Sequence, residues 1–263
     1  MIGLRIDVDG YYGLTIGVKN LLEIFDKNNM KATFFINMGR ESGPLDFLKY
    51  RFFRKNRLSE IDEKVKTRYS LNQKIRMIAL PKWLGCKHCE ILREIKNHGH
   101  DVQVHAWNHL KWTKDFENVD VECEIKKMVE SYKKCMNKNP VGFASPGFKF
   151  DKRVLDVLDE MKFKFSSDMI GKFPFRPEYE GKIYKHLQIP LTLKSNIEEM
   201  LASKIGFDGI VRIYKKHLSK NEYRCIYFHA DYEGLIGKNI FEKLIKNLNI
   251  KTVSLYEIYK NFK

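Results

Sequence analysis

The chain has 263 residues, 43% hydrophobic and 31% charged, enough apolar material for a full core in one large domain or two small ones, which argues against disorder and coiled coil. With 7 Pro and 16 Gly against 18 Phe, 13 Tyr and 3 Trp, the composition also excludes a linker-rich or collagen-like chain. The net charge of +15 attracts phosphate, in nucleic acid or in anionic lipid head groups, without separating the two.

In chain order, 3–8 reads as a short buried strand ending in carboxylates. Leu14, Val18, Leu21, Leu22 and Phe25 then recur at helical spacing, and 32–36 is a second strand, so the chain opens β-α-β. Between 40 and 82 lie twelve Lys/Arg against five Asp/Glu, so almost half of the charge excess is concentrated there. Leu45, Phe47, Leu48, Tyr50, Phe52, Phe53, Ile75, Met77, Ile78, Leu80, Trp83 and Leu84 interleave with that charge. Such a stretch is either an interfacial membrane element or a solvated insertion whose apolar side packs on its own domain. Further helices are predicted over 90–97, 119–137, 153–162, 205–218 and 239–248, with a closing helix after 253. Strands are predicted over 101–105, 141–145, 184–189, 223–228 and 251–253, and 163–167 is extended. This alternation implies an α/β fold with a mainly parallel sheet, open or closed into a barrel.

No run approaches the roughly 18 to 20 apolar residues of a membrane-spanning helix, and Asp7 and Asp9 stand where a signal peptide would be apolar. The expected compartment is the cytosol. Cys86, Cys89, Cys123, Cys135 and Cys225 are odd in number and scattered, which predicts free thiols. Cys86 and Cys89 have metal or redox spacing, but a zinc ribbon needs a second such pair.

The polar residues fall at carboxyl ends of the predicted strands, where parallel sheets and barrels build their sites. Asp7 and Asp9 end the first; His105 ends another, with His109 four residues on; Ser145-Pro146-Gly147 and His229 end two more. On one turn of helix, imidazoles at i and i+4 share a face and can reach a single divalent ion. Asp9 would complete a three-ligand site with open positions, suited to Zn, Fe, Co, Mn or Ni. Asp7, two positions away, is poorly placed as a fourth ligand and well placed to accept a proton from water beside the ion. Taken alone, the two carboxylates also fit a calcium-like or helix-capping pair. Arg176 either holds a phosphate as a bidentate donor or braces a turn. His88, His98, His100, His186 and His217 lack a carboxyl partner at a suggestive spacing and read as structural or surface residues.

Ile6-Asp7-Val8-Asp9, His105-Ala106-Trp107-Asn108-His109, Ala144-Ser145-Pro146-Gly147-Phe148 and Phe228-His229-Ala230 occur in the order of the motifs of the polysaccharide deacetylase (NodB-homology) family, which the chain resembles over nearly its whole length. Within that family it is similar to the 4-deoxy-4-formamido-L-arabinose-phosphoundecaprenol deformylases. The signs are Leu4-Arg5 before the first motif, Ser167-Asp168, Gly171, Pro174-Phe175-Arg176-Pro177, Ile189-Pro190-Leu191-Thr192-Leu193 and His229-Ala230-Asp231-Tyr232-Glu233-Gly234.

The resemblance implies a distorted, incomplete (β/α) barrel of the polysaccharide deacetylase type, one catalytic domain over 1–263 with a basic amphipathic insertion at about 40–85. It implies one divalent metal, zinc before Co, Mn, Fe or Ni, on Asp9, His105 and His109, with Asp7 as base and His229 as general acid. Pro146, Lys149, Arg176 and Glu233 would face the substrate. The implied reaction removes the N-formyl or N-acetyl group of an amino sugar linked to undecaprenyl or another prenyl phosphate. The insertion would dock on an anionic membrane surface, at the inner face of the cell membrane, with no nucleic-acid partner. Two other readings stay open: a deacetylase of another saccharide such as peptidoglycan, and a basic nucleic-acid-binding protein without catalysis. Three departures from the subfamily stand out: Gly10-Tyr11-Tyr12 after the first motif, Phe148-Lys149 in place of Trp-Arg, and Asp231 in place of Glu. Lys149 keeps a positive charge that would steady Asp7 but lacks the fork of a guanidinium.

Overall fold

In the computed structural model, which describes residues 1–43, 46, 68–219 and 222–262, the first strand is also the one around which the site is built. Strand β1 (Ile2–Val8) is hydrogen-bonded on both sides, to β2 (Thr33–Asn37) and to β9 (Arg224–His229). Successive side chains of a strand point to opposite faces. Leu4, Ile6 and Val8 accordingly join the main core beneath the helices, whereas Arg5 and Asp7 face the interior of the barrel. Phe34 and Ile36 of β2 and Ile226 and Phe228 of β9 also enter the main core; Phe35, Cys225 and Tyr227 belong to a second cluster on the inner side.

Beyond β2 follow β3 (Asp101–Ala106), β4 (Gly142–Phe143), β5 (Phe165–Ser166) and, after a small hairpin of β6 (Glu178–Tyr179) and β7 (Lys182–Ile183), β8 (Leu187–Gln188). The seven sheet strands are all parallel, in the order β8-β5-β4-β3-β2-β1-β9, and curl into a half-barrel. Strands β8 and β9 are not laddered. The chain just past β8 spans the seam instead, with Thr192 N–H donating to the Cys225 carbonyl at 2.9 Å and Tyr223 Oη to the Pro190 carbonyl at 2.5 Å.

Among the described residues the α-helices are α1 (Val18–Lys27), α2 (Leu71–Ala79), α3 (Cys89–Asn97), α4 (His109–Lys114), α5 (Val121–Met136), α6 (Lys152–Glu160), α7 (Ile197–Ala202), α8 (Phe207–Leu218), α9 (Lys238–Leu248) and α10 (Leu255–Phe262). In α5, Val121, Ile125, Met128, Tyr132 and Cys135 are buried at three- and four-residue intervals. Asp120 caps its first turn by accepting from Cys123 N–H, and Asn137, at φ 55°, ends it in the left-handed conformation.

Where the structure departs from the sequence reading, a side chain or a neighbour has taken over the backbone's partners. The strand predicted over 141–145 shrinks to two residues because Gln103 Oε1 accepts from both Val141 and Gly142 N–H. The strand predicted over 251–253 is a single bridge from Val253 to Gly3, where β2 has not yet begun to pair with β1. Helices α4 and α7, six residues each, escape periodicity because so short a segment repeats its pattern less than twice. The expectation of free thiols is corrected for one pair. Cys89 and Cys135 form a disulfide, 46 residues apart in sequence, because α3 packs on α5; Cys86, Cys123 and Cys225 are free. Leu45, Phe47, Leu48, Tyr50, Phe52 and Phe53 lie outside the described residues. Among the described residues no helix is long and apolar enough to cross a membrane.

His100 links this packing to a measurable property. It is buried between Phe25 and Phe34, with both ring centroids 5.5 Å away, and its Nδ1 accepts from Ala32 N–H. Burial and then Lys31 push it down to about 4 from an ordinary 6.5. The unfolded chain therefore takes up this proton first as pH falls, so stability is lost between pH 6.5 and 4 at up to about 1.4 kcal/mol per pH unit. His100→Gln should flatten the pH dependence of urea unfolding across that window by that amount; an unchanged slope would contradict it.

Candidate active site

The residues past the end of β1 turn over the mouth of the half-barrel, where Asp9 meets two imidazoles. Asp9 Oδ1 lies 3.4 Å from His105 Nε2 and 3.3 Å from His109 Nε2, and it is buried without a hydrogen-bond partner. The two histidines do not share a turn of helix. His105 is the fifth residue of β3, His109 the first of α4, and a tight turn through Trp107 and Asn108 brings their ring centroids to 5.3 Å. His105 Nδ1 lies 2.6 Å from the Ala144 carbonyl, which can only accept. That nitrogen therefore carries a proton, and Nε2 is turned toward Asp9. Asn108 caps α4 through Lys111 N–H, and its own N–H is held by Glu124, which fixes the turn that carries His109.

These three donor atoms fit a metal ion. Ligands about 2.0–2.1 Å from a tetrahedral zinc stand roughly 3.3 Å apart, the separation that Asp9 keeps from both imidazoles, and all three atoms lie within 4.8 Å of one another. An unpartnered buried carboxylate oxygen between two imidazole nitrogens is a costly arrangement unless a cation joins them. Burial works against the Asp9 charge, but His109 and the contacts with both imidazoles outweigh it and hold the carboxyl well below its usual range.

Asp7 stands one step further into the barrel. Arg5, two residues earlier on the same face of β1, grips it in a bidentate pair with both N···O distances at 2.7 Å and both side chains almost fully buried. The guanidinium also donates to the Ser167 carbonyl and lies between the rings of Phe35 and Phe148. Burial pushes the Asp7 carboxyl up, and Arg5, followed by His105, more than reverses this, leaving it below its usual range. The partner of Asp7 is thus Arg5, which sequence reasoning missed in favour of Lys149. The signal was there: an arginine inside an otherwise apolar strand needs a buried anion, and period 2 puts Asp7 on its face.

His229 pairs in register with Asp7 across β1 and β9, and its Nε2 lies 4.0 Å from Asp9 Oδ2. Burial and then Arg68 push it down to about 4. Arg68 donates to Asp9 Oδ2 at 3.2 Å and bidentately to Glu198 at 2.8 and 2.7 Å. Beneath Asp9, the carboxylate of Asp231 accepts from Asp9 N–H at 2.8 Å, Gly10 N–H at 3.0 Å and Tyr69 Oη at 2.6 Å. Burial and the Asp9 carboxylate push Asp231 up. A Cβ at position 10 would lie 2.8 Å from both Asp231 Oδ1 and Tyr69 Oη, so Gly10, Tyr69 and Asp231 share one space. None of Arg68, Tyr69 and Glu198 is marked by sequence spacing, since each reaches the site from 59 or more residues away.

The site opens into a cleft of about 440 Å³ whose walls include Asp7, Asp9, His105, His109, Lys149 and His229. The other residues expected to face a substrate are elsewhere. Pro146 is buried, and Arg176 is exposed and donates to the Lys185 carbonyl next to the β6–β7 hairpin. Glu233 corrects the sequence reading: it is fully enclosed and accepts from His229 N–H at 2.8 Å, so it acts on the strand end that carries His229. Burial pushes it up to about 8.

A half-barrel of this topology, with an Asp-His-His cluster at the carboxyl ends of its strands, defines a class. Residues 7–166 match the polysaccharide deacetylase family, and the chain belongs to it. It is 29% identical, over 98% of its length and 85% of the relative's, to a protein of Shewanella sediminis (strain HAW-EB3) named as a probable 4-deoxy-4-formamido-L-arabinose-phosphoundecaprenol deformylase, ArnD. A protein of the same name from Wigglesworthia glossinidia brevipalpis is 32% identical over 89% of this chain and 82% of its own. Among solved structures, a Mycobacterium smegmatis protein named as a putative polysaccharide deacetylase superposes with a TM-score of 0.64 at 14% identity, covering 99% of this chain and 88% of the other.

The layer around Asp9 gives a direct test. Asp231→Asn would set an amide N–H against one of three donors, and Arg68→Gln would free Asp9 Oδ2. Each should weaken zinc binding in calorimetry by about 10- to 100-fold, the usual effect of removing a group that orients a ligand. Wild-type affinity in both variants would show that this layer does not hold the ligand set.

Proposed function

We propose that the protein is a metal-dependent amide hydrolase that removes the N-formyl group of an amino sugar carried on a prenyl phosphate, the activity for which its ArnD relatives are named. The observation that carries this reading is the unpartnered Asp9 Oδ1 set between His105 and His109, with Asp7 and His229 on the walls of the same cleft. Asp9, His105 and His109 would hold the ion; zinc suits the donor set, which Co, Mn, Fe and Ni also accept. Once bound, such an ion polarises the amide carbonyl and acidifies water.

The chain's own residues do the rest. Asp7, kept ionised by Arg5, accepts the proton of the attacking water. Its fixed bidentate grip orients the carboxylate, so little reorganisation is needed as the proton moves. His229 stands on the other side of Asp9 and donates from Nε2 toward the nitrogen of the breaking bond, the general-acid side of the reaction. Lys149, Arg40 and Lys114 on the cleft wall supply positive charge for a sugar phosphate.

The basic stretch supports a membrane-docked substrate. In its described part, Leu71 and Ile75, one turn apart on α2, are 71% and 56% exposed, with Leu80 and Trp83 at 62% and 44% beside them. Apolar side chains at large exposure in a basic segment suit the interface of an anionic bilayer. Replacing these four by Ser should abolish co-sedimentation with phosphatidylglycerol vesicles; equal sedimentation would remove the membrane from the proposal.

The reaction itself is tested by giving protein reconstituted with Zn, Co or Mn the formylated and acetylated undecaprenyl-phosphate amino sugars and reading the released acid by mass spectrometry. Formate is expected, and no release from either substrate would reject the reading. Acetate alone would point to a saccharide deacetylase. His229→Ala should lower turnover by about 10²- to 10⁴-fold. Arg5→Lys, which keeps the charge and loses the fork, should lower it at least about tenfold with bound metal unchanged.

A further inference from the structure

His229 reaches the cleft through one ring nitrogen, and the other is committed to Asn196. Asn196 Nδ2 lies 3.0 Å from His229 Nδ1, and the asparagine is fully buried. Which amide atom faces the ring is settled by the other end of the same side chain. Asn196 is the N-cap of α7, and its Oδ1 takes the hydrogen bond of Glu199 N–H at 3.0 Å. A backbone N–H only donates, so the oxygen must sit there and the NH₂ group must face the imidazole. His229 Nδ1 is then an acceptor.

We propose that Asn196 is a positioning residue that fixes His229 in the tautomer with its proton on Nε2, aimed at the reacting amide. The neighbouring charges agree. Glu198 is the carboxylate nearest Nδ1 and would favour a proton there, but it lies 4.0 Å away with both oxygens held by Arg68. Arg68 thus draws both Glu198 oxygens to itself, and the group that faces Nδ1 within hydrogen-bond distance is the Asn196 amide. A proton on Nδ1 would put two donors face to face at 3.0 Å. Glu233 completes the arrangement from behind by holding the His229 backbone N–H.

This inference rests on the hydrolase reading for its consequence, though not for its geometry. That consequence is an Nε2–H held toward the nitrogen of the breaking bond.

The test keeps the fold intact, because Asp and Ser are both good N-caps and would still hold α7. Metal-free protein labelled with ¹⁵N-histidine is read at neutral pH by long-range ¹H–¹⁵N correlation, which distinguishes the ring nitrogens. Wild type should show His229 with Nε2 protonated and Nδ1 bare, and Asn196→Asp should move a proton onto Nδ1. Asn196→Ser, which keeps the cap and loses the NH₂ donor, should lower kcat on the formylated undecaprenyl-phosphate amino sugar roughly tenfold or more with KM and bound metal unchanged. A protonated Nδ1 in wild type, a wild-type pattern in Asn196→Asp, or full kcat in Asn196→Ser would each overturn the assignment. A wild-type protein with Nε2 protonated that releases no acid from that sugar would sink the hydrolase reading and leave the tautomer standing.

Discussion

The carboxylate of Asp9 is pulled in two directions, and the rest of the site follows from that. Oδ1 faces His105 and His109, Oδ2 is taken by Arg68, and the backbone N–H behind them is held by Asp231. One aspartate thus ties the loop after β1 to β3, to α4, to Arg68 of the basic stretch and to the loop after β9. A side chain anchored at every polar atom except one presents that one atom in a fixed place, which is what a binding site requires of its ligands.

Such anchoring brings an excess of buried negative charge. Asp7, Asp9, Asp231, Glu198 and Glu233 are mostly or fully enclosed, while Arg5 and Arg68 are the guanidinium groups buried among them. Buried charges are tolerated when paired and hydrogen-bonded, and otherwise they neutralise. Both outcomes occur here. Arg5 and Arg68 take Asp7 and Glu198 as bidentate partners, whereas Asp231 and Glu233 are pushed toward their neutral forms. Asp9, left with one unpartnered oxygen, is the place where a cation would relieve the excess.

The fold was largely legible in the sequence. Apolar runs such as Leu4, Ile6 and Val8 announce strands, helical spacing announces α1, α5 and α9, and their alternation announces a parallel sheet. The gathering of Asp7, Asp9, His105 and His229 at one edge was legible because strand ends are read from the same pattern; the roles proposed for them came from the family resemblance. What escaped was the support around them. Arg5 could have been found from its place on the Asp7 face of an apolar strand. Asn196, Arg68 and Tyr69 could not, since they come from short or irregular segments whose positions depend on packing. The Cys89–Cys135 pair escaped for the same reason, as contact between α3 and α5 leaves no mark on cysteine spacing.

Local pattern is sufficient to say which side chains share a strand end, because the two-residue period and the burial of apolar faces act over a few positions. From that alone come the parallel α/β sheet and the residues that gather at one edge of it; the half-barrel and the family were implied by the order of the motifs. Which nitrogen of His229 carries its proton, which oxygen of Asp9 stays open and which arginine holds Asp7 are matters of hydrogen-bond partners contributed by distant segments. They are settled only when the folded chain brings donors and acceptors within 3 Å or so of one another, since a hydrogen bond fades steeply beyond that distance.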